Sequence, residues 1–200
     1  MAKNKILVLL FHPRLEDSRV NAALVKAARK VKGVTVRDMY ELYPDFNIDE
    51  TREQKLLLQH DYIVWQHPFY WYSCPPLMKQ WIDLVLEQGW AYGKDGDKLK
   101  GKKLFHVISS GGNFGAYSAE GRNKYTYLEL LRPFELTARL CQIDYLPPLI
   151  VPSANALSAE EIEQYASFYQ DLLGHLVEEQ IVPEVFEKLN YWNDHTFSTT

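Results

Sequence analysis

Three stretches of this 200-residue chain carry side chains whose types and spacing could do chemistry together. In the first, Phe69, Tyr70, Trp71 and Tyr72 follow one another between Pro68 and Cys74-Pro75-Pro76. A stiff backbone there presents flat apolar surface where a solvated turn is ordinarily found, and such a platform suits a flat ring. The second is HPRLEDSRVN, His12 to Asn21, in which Ser18 stands where it can cap a following helix. A helix N-terminus offers unpaired amides and the positive end of the dipole, which suits a phosphate; His12 could add a donor, and Ser18 and Asn21 could reach phosphate oxygens from the first turn. The third is SSGGNFGAYSAEG, residues 109–121. Its glycines, Gly111 and Gly112 among them, permit close backbone approach and positive φ, so the amides of this turn, after Ser109 and Ser110, could face the polar edge of a heterocycle with the Tyr117 hydroxyl joining them.

Taken singly, each stretch has an ordinary explanation: rings capping a core, a plain N-cap, a flexible surface loop. The elements around them argue otherwise. Residues 6–11 are an unbroken apolar run, the pattern of a strand covered on both faces, and Val20, Ala23, Leu24, Ala27, Ala28 and Val31 then recur at helical spacing. The alternation continues with strands over 34–39, 62–65 and 103–109 and one ending at 149–151. Between them lie helices over 51–59, opened by a capping box of Thr51 and Gln54, at Leu77, Trp81, Leu84 and Val85, and over 127–141. A last helix, capped by Ser158 and Glu161, runs to about residue 182. Strands alternating with helices give an α/β fold, a doubly wound five-stranded parallel sheet with helices on both faces, because parallel neighbours need helical crossovers. In such a sheet ligands bind at the carboxyl ends of the strands, and the three stretches each follow one. A phosphate loop, an aromatic platform and a glycine-rich polar loop form the three sides of a flavin mononucleotide site. GxGxxG, the usual dinucleotide fingerprint, is missing.

A net charge of −4 from 22 basic and 26 acidic side chains gives no electrostatic case for nucleic acid. No apolar run approaches the roughly eighteen residues needed to span a bilayer, and Cys74 and Cys141 fit neither a metal site nor a secreted disulfide scaffold, so the expectation is a cytoplasmic protein reaching a membrane only through a partner. Residues 1–182 read as one domain, and 183–200, with Phe186, Tyr191, Trp192 and Phe197, as an aromatic extension that packs on the body or on a second subunit.

YPDFNID at 43–49, QHPFYWYSCPPLMKQWID at 66–83, GWAYG at 89–93 and LRPFELTARLC at 131–141 are the stretches by which residues 5–173 resemble the flavodoxin-like NAD(P)H:quinone reductase family. Within it the chain is most similar to the bacterial ancillary proteins of glutathione-gated potassium-efflux (Kef) antiporters. Cys74, LRPFEL and residues 123–125 point to one ancillary branch; Trp65, Trp71 and GWAYG point to the other. The resemblance implies a homodimer that takes FMN in preference to FAD and moves a hydride from NAD(P)H through the flavin to a quinone. The alternative is a regulatory subunit docked on a potassium antiporter, with quinone reduction secondary. The resemblance places His12, Ser18 and Asn21 at the phosphate, Pro68, Phe69, Tyr70, Trp71 and Tyr72 at the ring, and Ser109, Ser110, Gly111, Gly112 and Tyr117 at the pyrimidine edge, and makes Tyr117 and the Gly111 and Gly112 amides the candidates to stabilise negative charge growing on the flavin. In mammalian-type members a histidine six residues after this tyrosine assists it; here that position is Asn123, which cannot relay a proton. Trp90 and Tyr92 either close the site from the partner subunit or pack on the preceding helix. Arg122, Lys124 and Arg132 either meet a nicotinamide phosphate or are solvated surface, and Cys74 reads as a packing residue.

Overall fold

The structure is a computed structural model that describes residues 3–181 and 183–197. Its elements in chain order are β1 (Ile6–Leu10), α1 (Arg19–Ala28), β2 (Val34–Asp38), α2 (Met39–Leu42), α3 (Glu50–Leu58), β3 (Tyr62–Pro68), α4 (Pro76–Val85) and β4 (Lys103–Ser109). They continue with α5 (Tyr127–Leu130), α6 (Arg132–Leu140), β5 (Asp144–Tyr145), β6 (Leu149–Val151), α7 (Ala159–Val177) and α8 (Pro183–Lys188). Every pairing is parallel, in the order β2-β1-β3-β4, with β5 and β6 both on the far side of β4. The fifth position of the expected sheet is therefore one strand in two pieces. Pro147 and Pro148 separate them, since proline brings no N–H to a ladder.

The pleat sorts the strand residues into two layers. Leu7, Leu9, Ile63, Trp65 and Leu104 face α3, α4 and α6, while Ile6, Val8, Val64, Phe105 and Val107 face α1 and α7. All are buried, which is why β1 reads as a continuous apolar run rather than an alternation.

Several element ends differ from the sequence expectation. α3 is capped by Asp49, which accepts from the Arg52 amide, and not by Thr51; the Gln54 amide is spent on the Val85 carbonyl. Residues 127–141 form two helices, because Pro133 has no N–H to continue the ladder; α5 has its own capping box of Thr126 and Glu129. β3 extends three residues beyond Trp65 to Pro68, because buried Gln66 and His67 pair in register with Val107 and Ile108 of β4. Strand β2 stops at Asp38, whose side chain caps α2 instead. The Ser158–Glu161 capping box opens α7 as expected, but the helix ends at Val177, where Glu179 takes a left-handed φ of 57°.

Beyond α8 the chain returns to the sheet. The Trp192 amide donates to the Pro148 carbonyl, and the Asn193 carboxamide both accepts from the Ile150 amide (2.9 Å) and donates to the Ile150 carbonyl (2.7 Å). A side-chain amide thus stands in for a strand on the open edge of β6.

Candidate functional site

β1, β3 and β4 end side by side, and the loops that follow them enclose a cavity of 380 Å³ at the carboxyl edge of the sheet. That volume lies in the range of small-molecule sites. Of the residues expected there, His12, Ser18, Pro68, Phe69, Tyr70, Ser109, Ser110 and Gly111 line it.

The phosphate end follows from the start of α1. The Ser18 hydroxyl oxygen accepts from the Asn21 amide and from the Asn21 carboxamide, both at 3.2 Å, which leaves its own proton free to donate. The Arg19 and Val20 amides, at the first two helical positions, have no intrahelical acceptor, and both residues line the cavity. His12 accepts the Arg14 amide on Nδ1 (3.2 Å), so its proton sits on Nε2, and burial holds its pKa below the usual histidine value against the opposing pull of Glu16. It therefore presents a neutral N–H donor.

Asn21 corrects the expectation. It does not line the cavity and is fully buried, with its carboxamide donating to Ser109 Oγ (2.8 Å) and accepting from Gln66 Nε2 (3.3 Å). A side chain so committed ties α1 to β3 and β4 and has no donor left for a phosphate. It bridges the three loops rather than serving one of them.

In the aromatic loop, buried Phe69 forms the floor, tilted against Tyr117 and Tyr127, and Tyr70 stands edge-on to His12. The Pro68–Phe69 peptide is held at both ends: the Phe69 amide donates to the Ser109 carbonyl, and His67 Nδ1 donates to the Pro68 carbonyl (2.9 Å). His67 Nε2 then accepts from His106 Nδ1 (2.9 Å), so the tautomers of this buried pair are fixed, and burial pushes the His67 pKa down to about 4. Trp71 and Tyr72 do not reach the cavity. They sit in left-handed backbone, φ 51° and 60°, with Trp71 91 % exposed. Two bulky residues in succession there store strain of about 1–3 kcal/mol each, the kind of cost that clusters at functional surfaces.

In the glycine-rich loop, Gly111 and Gly112 are not in the positive-φ region; Gly112 is required because a Cβ would approach the Tyr117 ring to 2.8 Å. The Gly112 carbonyl accepts from the Ser153 amide and from Ser110 Oγ, and the Tyr127 hydroxyl donates its one proton to Ser110 Oγ (2.5 Å) with the same carbonyl 3.3 Å away, whereas neither the Gly111 nor the Gly112 amide has a protein acceptor among the described residues. Gly112 and Tyr117 lie beside the cavity rather than in its lining. The Tyr117 ring stacks on Tyr127 at 4.0 Å, and burial with the neighbouring Tyr72 raises its pKa while Arg122 lowers it. The Tyr72 hydroxyl donates to Asn123 Oδ1 at 3.4 Å. Tyr117, Tyr72, Arg122 and Asn123 thus form a polar wall next to the Phe69 floor.

The sequence reading missed Arg14, Asp17, Arg19, Val20, Ala154 and Asn155, all of which line the cavity. The last two follow β6, so the rule that placed the other loops at strand ends reaches them too. Trp90 and Tyr92 pack partly buried against the core on the α4 side, and burial raises the Cys74 pKa, as suits a packing thiol. Arg132 pairs with Glu135, while Arg122 and Lys124 are exposed.

A family model described as the flavodoxin-like fold matches residues 4–173. The chain belongs to that family. It is 46 % identical over 169 residues to the glutathione-regulated potassium-efflux system ancillary protein KefG of Erwinia tasmaniensis, spanning 84 % of this chain and 92 % of the relative. Among solved structures, general stress protein 14 of Treponema denticola in complex with FMN shares 43 % identity and a TM-score of 0.82 over 86 % of this chain and 99 % of that one. An NADPH-quinone reductase from P. pentosaceus shares 34 % identity and a TM-score of 0.77 over 84 % and 96 %. No helix among the described residues is long and apolar enough to cross a membrane.

Proposed function

We propose that this chain is an FMN-dependent NAD(P)H:quinone oxidoreductase. One observation carries the reading: a single cavity joins a helix N-terminus with unpaired amides to an aromatic floor and to Ser109, Ser110 and Gly111 at the start of the glycine-rich loop. The residues fit the cofactor end for end. Ser18, the Arg19 and Val20 amides and His12 Nε2 would hold the phosphate, with Arg14 and Arg19 offsetting Asp17 on the same rim. Phe69 and Tyr70 would carry the ring, and the Gly111 and Gly112 amides its pyrimidine edge. FMN supplies the hydride chemistry when bound. The protein's part is to hold donors where negative charge grows, and Tyr117 is the side chain placed for it; the fixed Pro68–Phe69 peptide and the Ser110–Tyr127–Gly112 bonds keep those donors from having to reorganise. Asn123 accepts from Tyr72 and cannot relay a proton, so the wall works by hydrogen bonding alone.

The test compares two ligands. Ser18→Ala removes a donor to a charged group, worth on the order of 1.5–3 kcal/mol, and should weaken FMN binding by roughly tenfold or more while leaving riboflavin, which lacks the phosphate, within about threefold. Equal losses for both, or no flavin binding by the native chain, would refute the assignment.

The names of relatives at about 46 % identity favour a second role beside the first, as ancillary subunit of a glutathione-regulated potassium-efflux system at the cytoplasmic membrane face. A chain that activates a co-expressed antiporter with its quinone reductase activity abolished would make that role primary. We further propose a homodimer built on the exposed rings of Tyr70, Trp71, Tyr72 and Tyr125.

A further inference from the structure

The family match ends at residue 173, yet residues 191–193 are bound into the fold at the edge of the candidate site. We propose that this terminal segment is a positioning element of the site, holding the glycine-rich loop and through it Tyr117.

Two routes lead from the segment to that loop. The first is a run of aromatic contacts: Tyr191 meets Phe114 edge-on at 5.3 Å, Phe114 meets Tyr127 at 5.6 Å, and Tyr127 stacks on Tyr117 at 4.0 Å. Tyr127 also bonds Ser110 Oγ at 2.5 Å, so it grips the loop before and after the glycines. The second route runs through the sheet. Asn193 holds both polar groups of Ile150, and one residue further along β6 the Val151 carbonyl accepts the Ser110 amide. The chain then turns through Ser153, at a left-handed φ of 54°, whose amide donates to the Gly112 carbonyl, and the Ala154 amide donates to the Ser110 carbonyl. Trp192, fully buried against Phe105 and Phe186, anchors both routes. A surface loop with several glycines has little stiffness of its own, and contact with a packed ring and a clamped strand supplies it.

The test separates the ring from its anchor. Tyr191→Ala removes the first route and keeps Trp192 and Asn193; Tyr191→Phe keeps the ring, and Tyr191→Leu replaces its bulk should the alanine variant fail to fold. Amide hydrogen exchange on the flavin-free protein should show residues 111–117 exchanging about threefold to tenfold faster in Tyr191→Ala, the worth of one aromatic pair, and native rates in Tyr191→Phe. Residues 18–24 should be unchanged in both. Unchanged exchange at 111–117, or an equal rise across the whole chain, overturns the proposal. A second arm rests on the FMN reading: in Tyr191→Ala, riboflavin and FMN affinities should fall by the same factor, because the phosphate end is untouched. A native chain that binds neither flavin removes that reading and leaves the exchange result to decide this one.

Discussion

Tyr117 is where the proposed chemistry depends most on one atom. Its ring is held by Tyr127 and by the missing Cβ of Gly112, so Tyr117→Phe should leave the stack and the bound flavin in place. Flavin reduction by NADPH, followed in pre-steady state, should slow by roughly tenfold. That is less than the ~2.7–4 kcal/mol typical of a lost oxyanion-hole donor, because the charge is delocalised and two backbone amides remain. Full-speed reduction would exclude the hydroxyl from the mechanism. His67 and His106 make a second residue-level expectation. Burial keeps both neutral when folded, whereas in the unfolded chain they take up protons near pH 6.5. The depressed folded pKa means that stability is fully present above pH about 6.5 and is lost as pH falls from there toward 4, at up to about 1.4 kcal/mol per pH unit for each ring. Urea midpoints measured between pH 7.5 and 4.5 should fall accordingly, and the His67→Leu/His106→Leu double variant should show a shallower slope. An unchanged slope would mean the pair does not titrate in this window.

At the scale of elements, α3 offers a test of how its ends and its buried face are held. Asp49→Ala should cost about 1 kcal/mol, the usual worth of an N-cap, while Thr51→Ala, inside the helix, should cost less than about 0.5 kcal/mol. The opposite order in denaturant melts would restore the capping box that the sequence suggested. On the inward face, Glu53 has no exposed surface and accepts from Arg37 (2.5 Å), the Tyr43 hydroxyl (2.7 Å) and Trp81 Nε1 (3.1 Å), so one carboxylate joins β2, α3 and α4. Glu53→Leu leaves the Arg37 guanidinium buried without its partner and should destabilise the fold by about 3–5 kcal/mol. A loss below about 1 kcal/mol would show that water reaches Arg37 and that the pair is peripheral.

The whole molecule leaves one large feature unused. Trp71 lies almost fully in solvent, on strained backbone, beside half-exposed Tyr70 and Tyr72 and with exposed Tyr125 two residues from Asn123, the acceptor of the Tyr72 hydroxyl. A symmetric pair of chains would bury these rings at a shared centre, as isologous interfaces do. Light scattering at micromolar concentration should give about twice the 23.3 kDa chain mass, and Trp71→Ala should shift the protein toward monomer. A monomeric native chain at that concentration would reject the proposed interface.

The sequence by itself determined the sheet and the edge of it at which the candidate site lies. Strands buried on both faces write themselves as apolar runs, as residues 6–10 and 62–65 do, and a parallel sheet puts its loops at one edge whatever those loops contain. The Ser18 cap was equally legible, because capping is decided within four residues. Tertiary structure alone decided which polar side chains are free. Asn21 looked like a phosphate ligand until Ser18, Ser109 and Gln66 claimed its carboxamide, and Asp49 displaced Thr51 as the cap two residues earlier. His67 and His106 stand 39 positions apart and meet only because β3 pairs with β4 so that His106 lies opposite Trp65, two residues from His67 on the same face, and Tyr191 reaches Phe114 across 77 positions. Local sequence encodes periodicity and turn chemistry over a few residues, whereas the partner that occupies a donor is set by packing between segments distant in the chain.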